Sequence, residues 1–208
     1  MPEQDLIEWS KQFCNQEELF LDIGAHCGTY AIQLSRFCKR VEAFECQEPT
    51  FYQLCAGIAV NACWNVHAHH CALVSPEEQN TTKTYHVVSL DGGGTSLHEQ
   101  KNNQVIETGQ VQAKTLDSFS LFPDHTSITS NPRVGFIKLD VEGYELNVLK
   151  GSIYTLTRNN FPVLLFESWS HDTQMRQSII DFLTTSPLQY KTIVPVQGYP
   201  HMMLASPH

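Results

Sequence analysis

A chain of 208 residues, 41% hydrophobic and 17% charged, lies in the ordinary globular range and can bury one sizeable core, so a single domain over 1–208 is expected. Its 13 basic against 22 acidic side chains leave a formal charge of −9, which disfavours nucleic acid and anionic membrane surfaces as partners. No run approaches the roughly 20 apolar residues of a membrane span, and the opening Met1-Pro2-Glu3-Gln4-Asp5 is acidic where a secretory leader is basic; a cytoplasmic location without membrane insertion is expected.

Leu6, Ile7, Trp9 and Phe13 recur near helical spacing, which predicts a short amphipathic helix over 5–13. An apolar strand follows at 19–23. From Thr29, the residues Tyr30, Ala31, Leu34, Phe37 and Cys38 define a helix that packs back on the sheet. Residues 40–45 read as a second strand. Pro49 opens a helix whose face carries Phe51, Leu54, Cys55, Ile58 and Ala59, and 61–65 turns the chain into a third strand at 66–73.

This alternation predicts an α/β fold: a doubly wound, mostly parallel sheet with helices on both faces. The rhythm breaks between 75 and 131, where two strand-like runs, 83–90 and 105–114, flank Gly92-Gly93-Gly94. We read them as an inserted β-hairpin or edge pair, the insertion covering about 76–114. Thr115 or Asp117 can cap a helix start. Regular elements resume as a strand at 134–139, a helix at 142–157, a strand at 162–166 and a helix at 173–184. Residues 190–194 and 202–204 would close the sheet as a terminal antiparallel strand pair.

Cys14, Cys27, Cys38, Cys46, Cys55, Cys63 and Cys71 are odd in number and contain no C-x-x-C pair. They read as reduced, mostly buried thiols, neither a zinc knuckle nor a disulfide framework. His67, His69 and His70 lack a third ligand from elsewhere and read as surface or strand-end side chains. Asn80-Thr81-Thr82 marks only a polar loop.

Asp22-x-Gly24-x-x-x-Gly28 follows directly on the first strand, where an open parallel sheet presents ligands beyond its carboxyl edge. Glycine admits close backbone approach. The spacing is not the G-x-G-x-x-G of dinucleotide sites, which weakens an NAD-dependent oxidoreductase reading. It suits S-adenosylmethionine, whose amino-acid tail needs backbone amides and whose cationic end needs an acid, a place Asp22 can take. Glu45 ends the second strand about twenty residues on, where such folds hold a carboxylate for the ribose hydroxyls. Adenine would lie near 70–73. A further strand then delivers Asp140 to the same crevice. A methyltransferase acts mainly by holding nucleophile, methyl carbon and sulfur in line, with a base where the nucleophile is a hydroxyl. Asp140 is the first candidate for that base. Alternatively it binds a divalent ion, with Glu142 and Glu167 as further oxygen ligands. Glu142 also suits the first turn of a helix, and Glu145 reads as a solvated helix residue. His98 and His171 are alternative bases or acceptor-binding groups, and Trp169 either stacks on a sugar face or is a buried anchor.

Residues 20–30, 41–45, Cys71-Ala72-Leu73, Thr95-Ser96-Leu97, Lys114-Thr115-Leu116-Asp117 and above all Ile137-Lys138-Leu139-Asp140-Val141-Glu142-Gly143-Tyr144-Glu145, continuing to Gly151, resemble the FkbM family of S-adenosylmethionine-dependent methyltransferases. The resemblance runs in order from about Leu19 to Glu167. It implies a Rossmann-like class I methyltransferase fold and O-methylation, commonly of a sugar hydroxyl in a glycan or glycolipid and in other members of a polyketide or related small molecule. By position it implies that Asp22, Gly24, Ala25, His26, Gly28, Thr29 and Tyr30 line the cofactor's methionine end and that Glu45 takes the ribose. Cys71, Ala72, Ser96 and Asp140 complete the cofactor contacts, Thr95 and Ser96 closing over the site. The family's proline after the ribose acid is delayed here to Pro49, which predicts a shifted helix entry.

The reading is therefore an O-methyltransferase of a carbohydrate hydroxyl that releases S-adenosylhomocysteine, alone or as one domain of a larger glycan-assembly enzyme. The rivals are methylation of a small-molecule hydroxyl and a cofactor-binding module without turnover. Amino-group methylation is disfavoured because the fourth strand ends in Leu139-Asp140-Val141-Glu142 rather than an Asn-Pro-Pro-Tyr-like edge. The acceptor pocket is expected from the loop 91–103 and the turn 168–172.

Overall fold

A computed structural model describes residues 2–89, 91, 93–99, 105–119, 121, 132–169 and 171–207. Helix α1 (Pro2–Ser10) and a 3-10 turn (Lys11–Phe13) lead in, burying Leu6 and Ile7 and setting the Trp9 ring edge-on to Phe13. Strand β1 (Leu19–Ile23), helix α2 (Thr29–Leu34), strand β2 (Arg40–Glu45), helix α3 (Glu48–Val60) and strand β3 (Val66–His70) follow. Pro49 sits in the first turn of α3, where its missing N–H costs nothing. The strand expected at 66–73 breaks at Cys71. Its first part stays in the main sheet, and its last two residues form β4 (Ala72–Leu73), which pairs elsewhere.

The inserted strands are β5 (Thr82–Val87) and β6 (Glu107–Lys114), an antiparallel pair that β4 extends in parallel into a small sheet of order β4-β6-β5. Leu90, Gly92 and 100–104, which belong to the expected strands and loop, lie outside the described residues. A strand β7 (Val134–Leu139) returns to the main sheet. The single helix expected over 142–157 is two, α4 (Glu145–Lys150) and α5 (Ile153–Arg158). Its start is delayed because Glu142 and Gly143 both have positive φ and form a turn. Its middle breaks at Gly151-Ser152, and Asp117 accepts from the Tyr154 and Thr155 amides, so this acid caps α5 instead of its own 3-10 turn. Strand β8 (Val163–Glu167), helix α6 (Thr173–Thr184), and strands β9 (Thr192–Val196) and β10 (Tyr199–Ser206) complete the chain. Asp172 caps α6 through the Met175 amide at 2.9 Å.

The main sheet has the order β3-β2-β1-β7-β8-β10-β9. Its first five strands are parallel, and β10 is antiparallel to both β8 and β9. All five residues of β1 are buried, as expected of a central parallel strand covered on both faces. One face packs Leu21, Ile23, Ile137, Leu139 and Phe166. The other stacks Phe20 on Phe136 with ring centroids 5.0 Å apart, beneath α1 and α2; each such buried ring contributes roughly 1.5–3 kcal/mol. Pro195 is tolerated because β9 is an edge strand. No helix among the described residues is long and apolar enough to cross a membrane.

All seven cysteines are free, but only Cys38 and Cys71 are buried and the other five are half-buried, fewer than the sequence suggests, since several sit at helix ends and turns. His69 donates from Nε2 to the Glu42 carboxylate at 2.6 Å and stacks on Phe44, and His70 reaches the Cys46 carbonyl and stacks on Phe51.

The small sheet is pinned to α4 through Glu78. Lys83 and Tyr144 donate to one carboxylate oxygen, while Asn147 at 2.9 Å and Ser75 at 3.0 Å donate to the other. Burial alone would raise this carboxyl, but the four donors pull it down to about 2. A folded value below the ordinary one stabilises the fold above about pH 4.5, and that stabilisation is lost as pH falls towards 2. Glu78→Gln should therefore lower stability by about 1–3 kcal/mol at neutral pH, and the gap from wild type should close between pH 4.5 and 2. Urea titrations across that range check this; a gap independent of pH would exclude the assignment.

Candidate functional site

Where β1 ends, the chain must clear β7 to reach α2, and it does so through Gly24 at φ +76°. A Cβ there would lie 1.8 Å from the Asp140 carbonyl oxygen, so the position admits only glycine. Gly28, at φ +92°, is the residue before α2 and offers no capping side chain. Asp22 supplies the cap from inside the sheet: its Oδ2 accepts the Ala31 amide at 2.8 Å, satisfying one of the helix's open donors. Asp22 is 0% exposed and does not line the cavity above it. It acts on the turn from below.

That cavity, about 260 Å³, opens over the carboxyl ends of β1, β2 and β7. Gly24, Ala25, His26, Thr29, Tyr30, Glu45, Cys71, Ala72 and Asp140 all lie on its wall, as does Glu142; Gly28, Ser96, His98 and His171 do not. Glu45 is 7% exposed. Its Oε2 accepts the His26 amide and its Oε1 the Gln47 amide, both at 2.8 Å, which fixes the carboxylate and leaves each oxygen a further lone pair. Two vicinal hydroxyls fit that arrangement. Cys46 and Cys71 are held protonated by burial, with Cys71 pushed up to about 12, and so offer apolar wall and no nucleophile. His26 reaches the Asp91 carbonyl at 2.6 Å, bringing the loop after β5 over the turn.

Within that loop, alternate residues divide their tasks. Thr95 and Leu97 face the cavity, Thr95 donating to Gln47 at 2.7 Å. Ser96 is buried on the other side, bridges His86 through its backbone, and donates from Oγ to the Glu142 carbonyl at 3.1 Å. His98, exposed, reaches the Gly143 carbonyl at 3.1 Å.

Lys138 is the group that pattern reading passed over. It pairs with Asp22 in the β1–β7 register and is 5% exposed. Its ammonium donates to the Gly24 carbonyl at 2.8 Å, with Asp140 Oδ2 at 3.5 Å, Asp22 Oδ1 at 3.8 Å and the Tyr30 ring centroid at 5.4 Å. Burial opposes the charge on Lys138, yet the two carboxylates keep its pKa above the ordinary lysine value. Burial raises Asp22 to about 6 in spite of Lys138. A lysine inside an apolar strand is the available sequence signal, since unpaired lysine is almost never buried. Glu3, from α1, also reaches the cavity wall without any sequence signal.

Asp140, Glu142 and Glu167 come from the ends of β7 and β8, with one oxygen of each within 4.8 Å of the others. Burial and the Asp140 charge raise Glu142 to about 7; burial, Asp140 and Glu142 raise Glu167 to about 9. Glu142 stands at φ +54°, a strained position for a side chain that carries a Cβ. Glu145 stabilises that turn: its Oε1 accepts the Val141 amide at 3.0 Å and the Gly143 amide at 3.2 Å. Expected to be a solvated helix residue, Glu145 is instead 3% exposed, because the turn ahead of α4 folds its amides back onto it.

Residues 22–191 match the family model for the methyltransferase FkbM domain. The chain belongs to the FkbM methyltransferase family. It is 24% identical over 168 residues to the hexuronic acid methyltransferase AglP of Haloferax volcanii, covering 78% of this chain and 61% of that protein, so it spans under two thirds of that relative's length. Among solved structures, the methyltransferase FkbM of Methylobacillus flagellatus superposes with a TM-score of 0.62 at 16% identity over 92% of this chain and 44% of that one. A Streptococcus mutans protein solved in complex with S-adenosylhomocysteine superposes with a TM-score of 0.51 at 13% identity, covering 99% and 97% of the two chains. The Rossmann-like class I methyltransferase fold is thereby established for this FkbM domain.

Replacing Lys138 by Met should destabilise the domain by about 3 kcal/mol or more, since Asp22 is then buried without a counter-charge. Protonated Asp22 needs none, so the loss should be larger at pH 8 than at pH 5. Urea unfolding at both values checks the sign.

Proposed function

We propose that this FkbM domain transfers the methyl group of S-adenosylmethionine to a hydroxyl of a carbohydrate and releases S-adenosylhomocysteine. The observation that carries the reading is the convergence of Asp140, Glu142 and Glu167 beside the cavity. A sugar hydroxyl is a weak nucleophile, and its attack is assisted by a positioned base. That the acceptor is a sugar is supported by the hexuronic acid methyltransferase of Haloferax volcanii.

Bound S-adenosylmethionine supplies the electrophilic methyl carbon. Glu45 would hold the ribose hydroxyls on its two free lone pairs, Gly24 to His26 and the start of α2 would border the methionine end, and Cys71 and Ala72 the adenine. On the acceptor side, Asp140 is paired with Lys138 and orients the crevice, while Glu142, held at about 7, takes the hydroxyl proton through its carboxylate. Ser96, on the Glu142 carbonyl, and Glu145, beneath the turn, keep that carboxylate in place. His98 and His171 are positioned around the acceptor and take no proton in this scheme.

Calorimetry with S-adenosylhomocysteine and transfer of labelled methyl to a panel of neutral and acidic glycosides test the reading; absence of binding at millimolar ligand would sink it. For wild type, kcat should rise with pH through about 7, because Glu142 must be deprotonated to accept the proton. Glu142→Gln should flatten that rise and lower kcat by about 10²–10⁴-fold. If Asp140→Asn alone abolishes turnover and Glu142→Gln keeps the profile, the base is Asp140. Turnover should survive EDTA; loss restored by magnesium would assign the three carboxylates to a divalent ion.

A further inference from the structure

We infer that Trp169 and His201 form the acceptor subsite and hold the apolar face of a pyranose ring; this rests on the carbohydrate reading above and specifies it. Trp169 lies two residues beyond Glu167, past the end of β8, and is 48% exposed. One face of its indole is stacked on His201 with centroids 5.2 Å apart and planes at 24°, and His171 stands 5.7 Å away. A large aromatic left half in water beside a carboxylate cluster is not a core anchor. Aromatic faces of this kind bind the C–H face of a sugar ring while its hydroxyls stay free to meet polar groups.

The platform is held rigidly. The Ser168 amide donates to the His201 carbonyl at 2.6 Å, and Arg176 from α6 donates to the Ser168 carbonyl and, at 2.9 Å, to the Pro200 carbonyl. These bonds tie the β8–α6 turn to the start of β10, so Trp169 and His201 stay in register without a ligand. The platform is also continuous with the reaction site, since Trp169 interacts with the Glu167 carboxyl and Glu167 lies within 4.8 Å of Asp140 and Glu142. A ring seated on Trp169 therefore directs an edge hydroxyl at the three carboxyls.

Asp140, Glu142 and Glu167 converge beside the subsite, and Glu3 and Asp91 also line the adjoining cavity. Among the described residues, Lys138 is engaged by Asp140, Asp22 and the Gly24 carbonyl, and Arg176 by backbone carbonyls. Carboxyl groups both accept and, where protonated, donate hydrogen bonds, which suits the hydroxyls that a ring stacked on Trp169 leaves free.

The test uses the intact chain labelled with 5-fluorotryptophan and saturated with S-adenosylhomocysteine. Its three tryptophans give three fluorine resonances, and the one missing from Trp169→Phe identifies Trp169. Methyl glycosides of glucose, galactose, rhamnose, glucuronate and galacturonate serve as probes, and those that accept methyl should shift that resonance saturably. In kinetics with the best acceptor, Trp169→Ala should raise KM about tenfold with kcat within about threefold, and Trp169→Phe should recover most of the loss. The inference is overturned if sugars that accept methyl leave the Trp169 resonance unmoved. It also fails if Trp169→Ala lowers kcat at unchanged KM. If no sugar shifts a resonance or accepts methyl while S-adenosylhomocysteine still binds, the carbohydrate reading fails with it.

Discussion

The ammonium of Lys138, sealed between Asp22, Asp140 and the Gly24 carbonyl, is the interaction on which the site depends. Two carboxylates at the ends of adjacent parallel strands would repel each other in a poorly screened interior, and one cation between them turns that repulsion into cohesion. Through Asp22 it reaches the first turn of α2, through Gly24 the backbone of the glycine turn, and through Asp140 the end of β7. A single buried charge thus couples the floor of the cavity to both of these walls. The arrangement is not the most stable use of that volume, since a matched apolar pair avoids the desolvation cost.

On the other side of Asp140 the chain does the reverse and concentrates like charge. Glu142 and Glu167 sit close to Asp140 with little water, and their protons are held more tightly for that reason. The strained backbone at Glu142 belongs to the same design. A positive φ turns its side chain across the strand ends, and the buried carboxylate of Glu145 supports the turn from beneath. Ser96 grips the same peptide from the inserted segment, so the small sheet contributes to the geometry of the crevice. Glu78, which locks that sheet to α4, is therefore part of the scaffold of the site although it touches no part of the cavity.

The structural relatives share the fold at 13–16% identity, a level at which the sheet and its crossovers persist while loops and acceptor pockets diverge. The cavity wall here comes from strand ends and the turn into α2, which the sheet order dictates, and from the loop after β5, which it does not.

The strand positions were legible in the sequence because each parallel strand is an apolar run bounded by turn residues: β1, β2 and β7 begin and end where apolar spacing places them. The glycine turn and Glu45 were legible for a related reason, since close backbone approach and a strand-end acid leave their mark in residue type and spacing. What the sequence could not disclose was which polar groups the fold turns onto one another. Asp22 looks like a cofactor ligand until α2 is seen to place the Ala31 amide on it, and Glu145 looks solvated until the positive-φ turn folds two amides onto its carboxylate. Lys138 is one charge in an apolar strand until β1 and its glycine turn bring the Asp22 carboxylate and the Gly24 carbonyl to it. Local pattern and intrinsic geometry determined the elements and the turn. Which charges face one another in a low-dielectric interior, and so which are paired and which hold their protons, was decided only by the packing of segments up to more than a hundred residues apart.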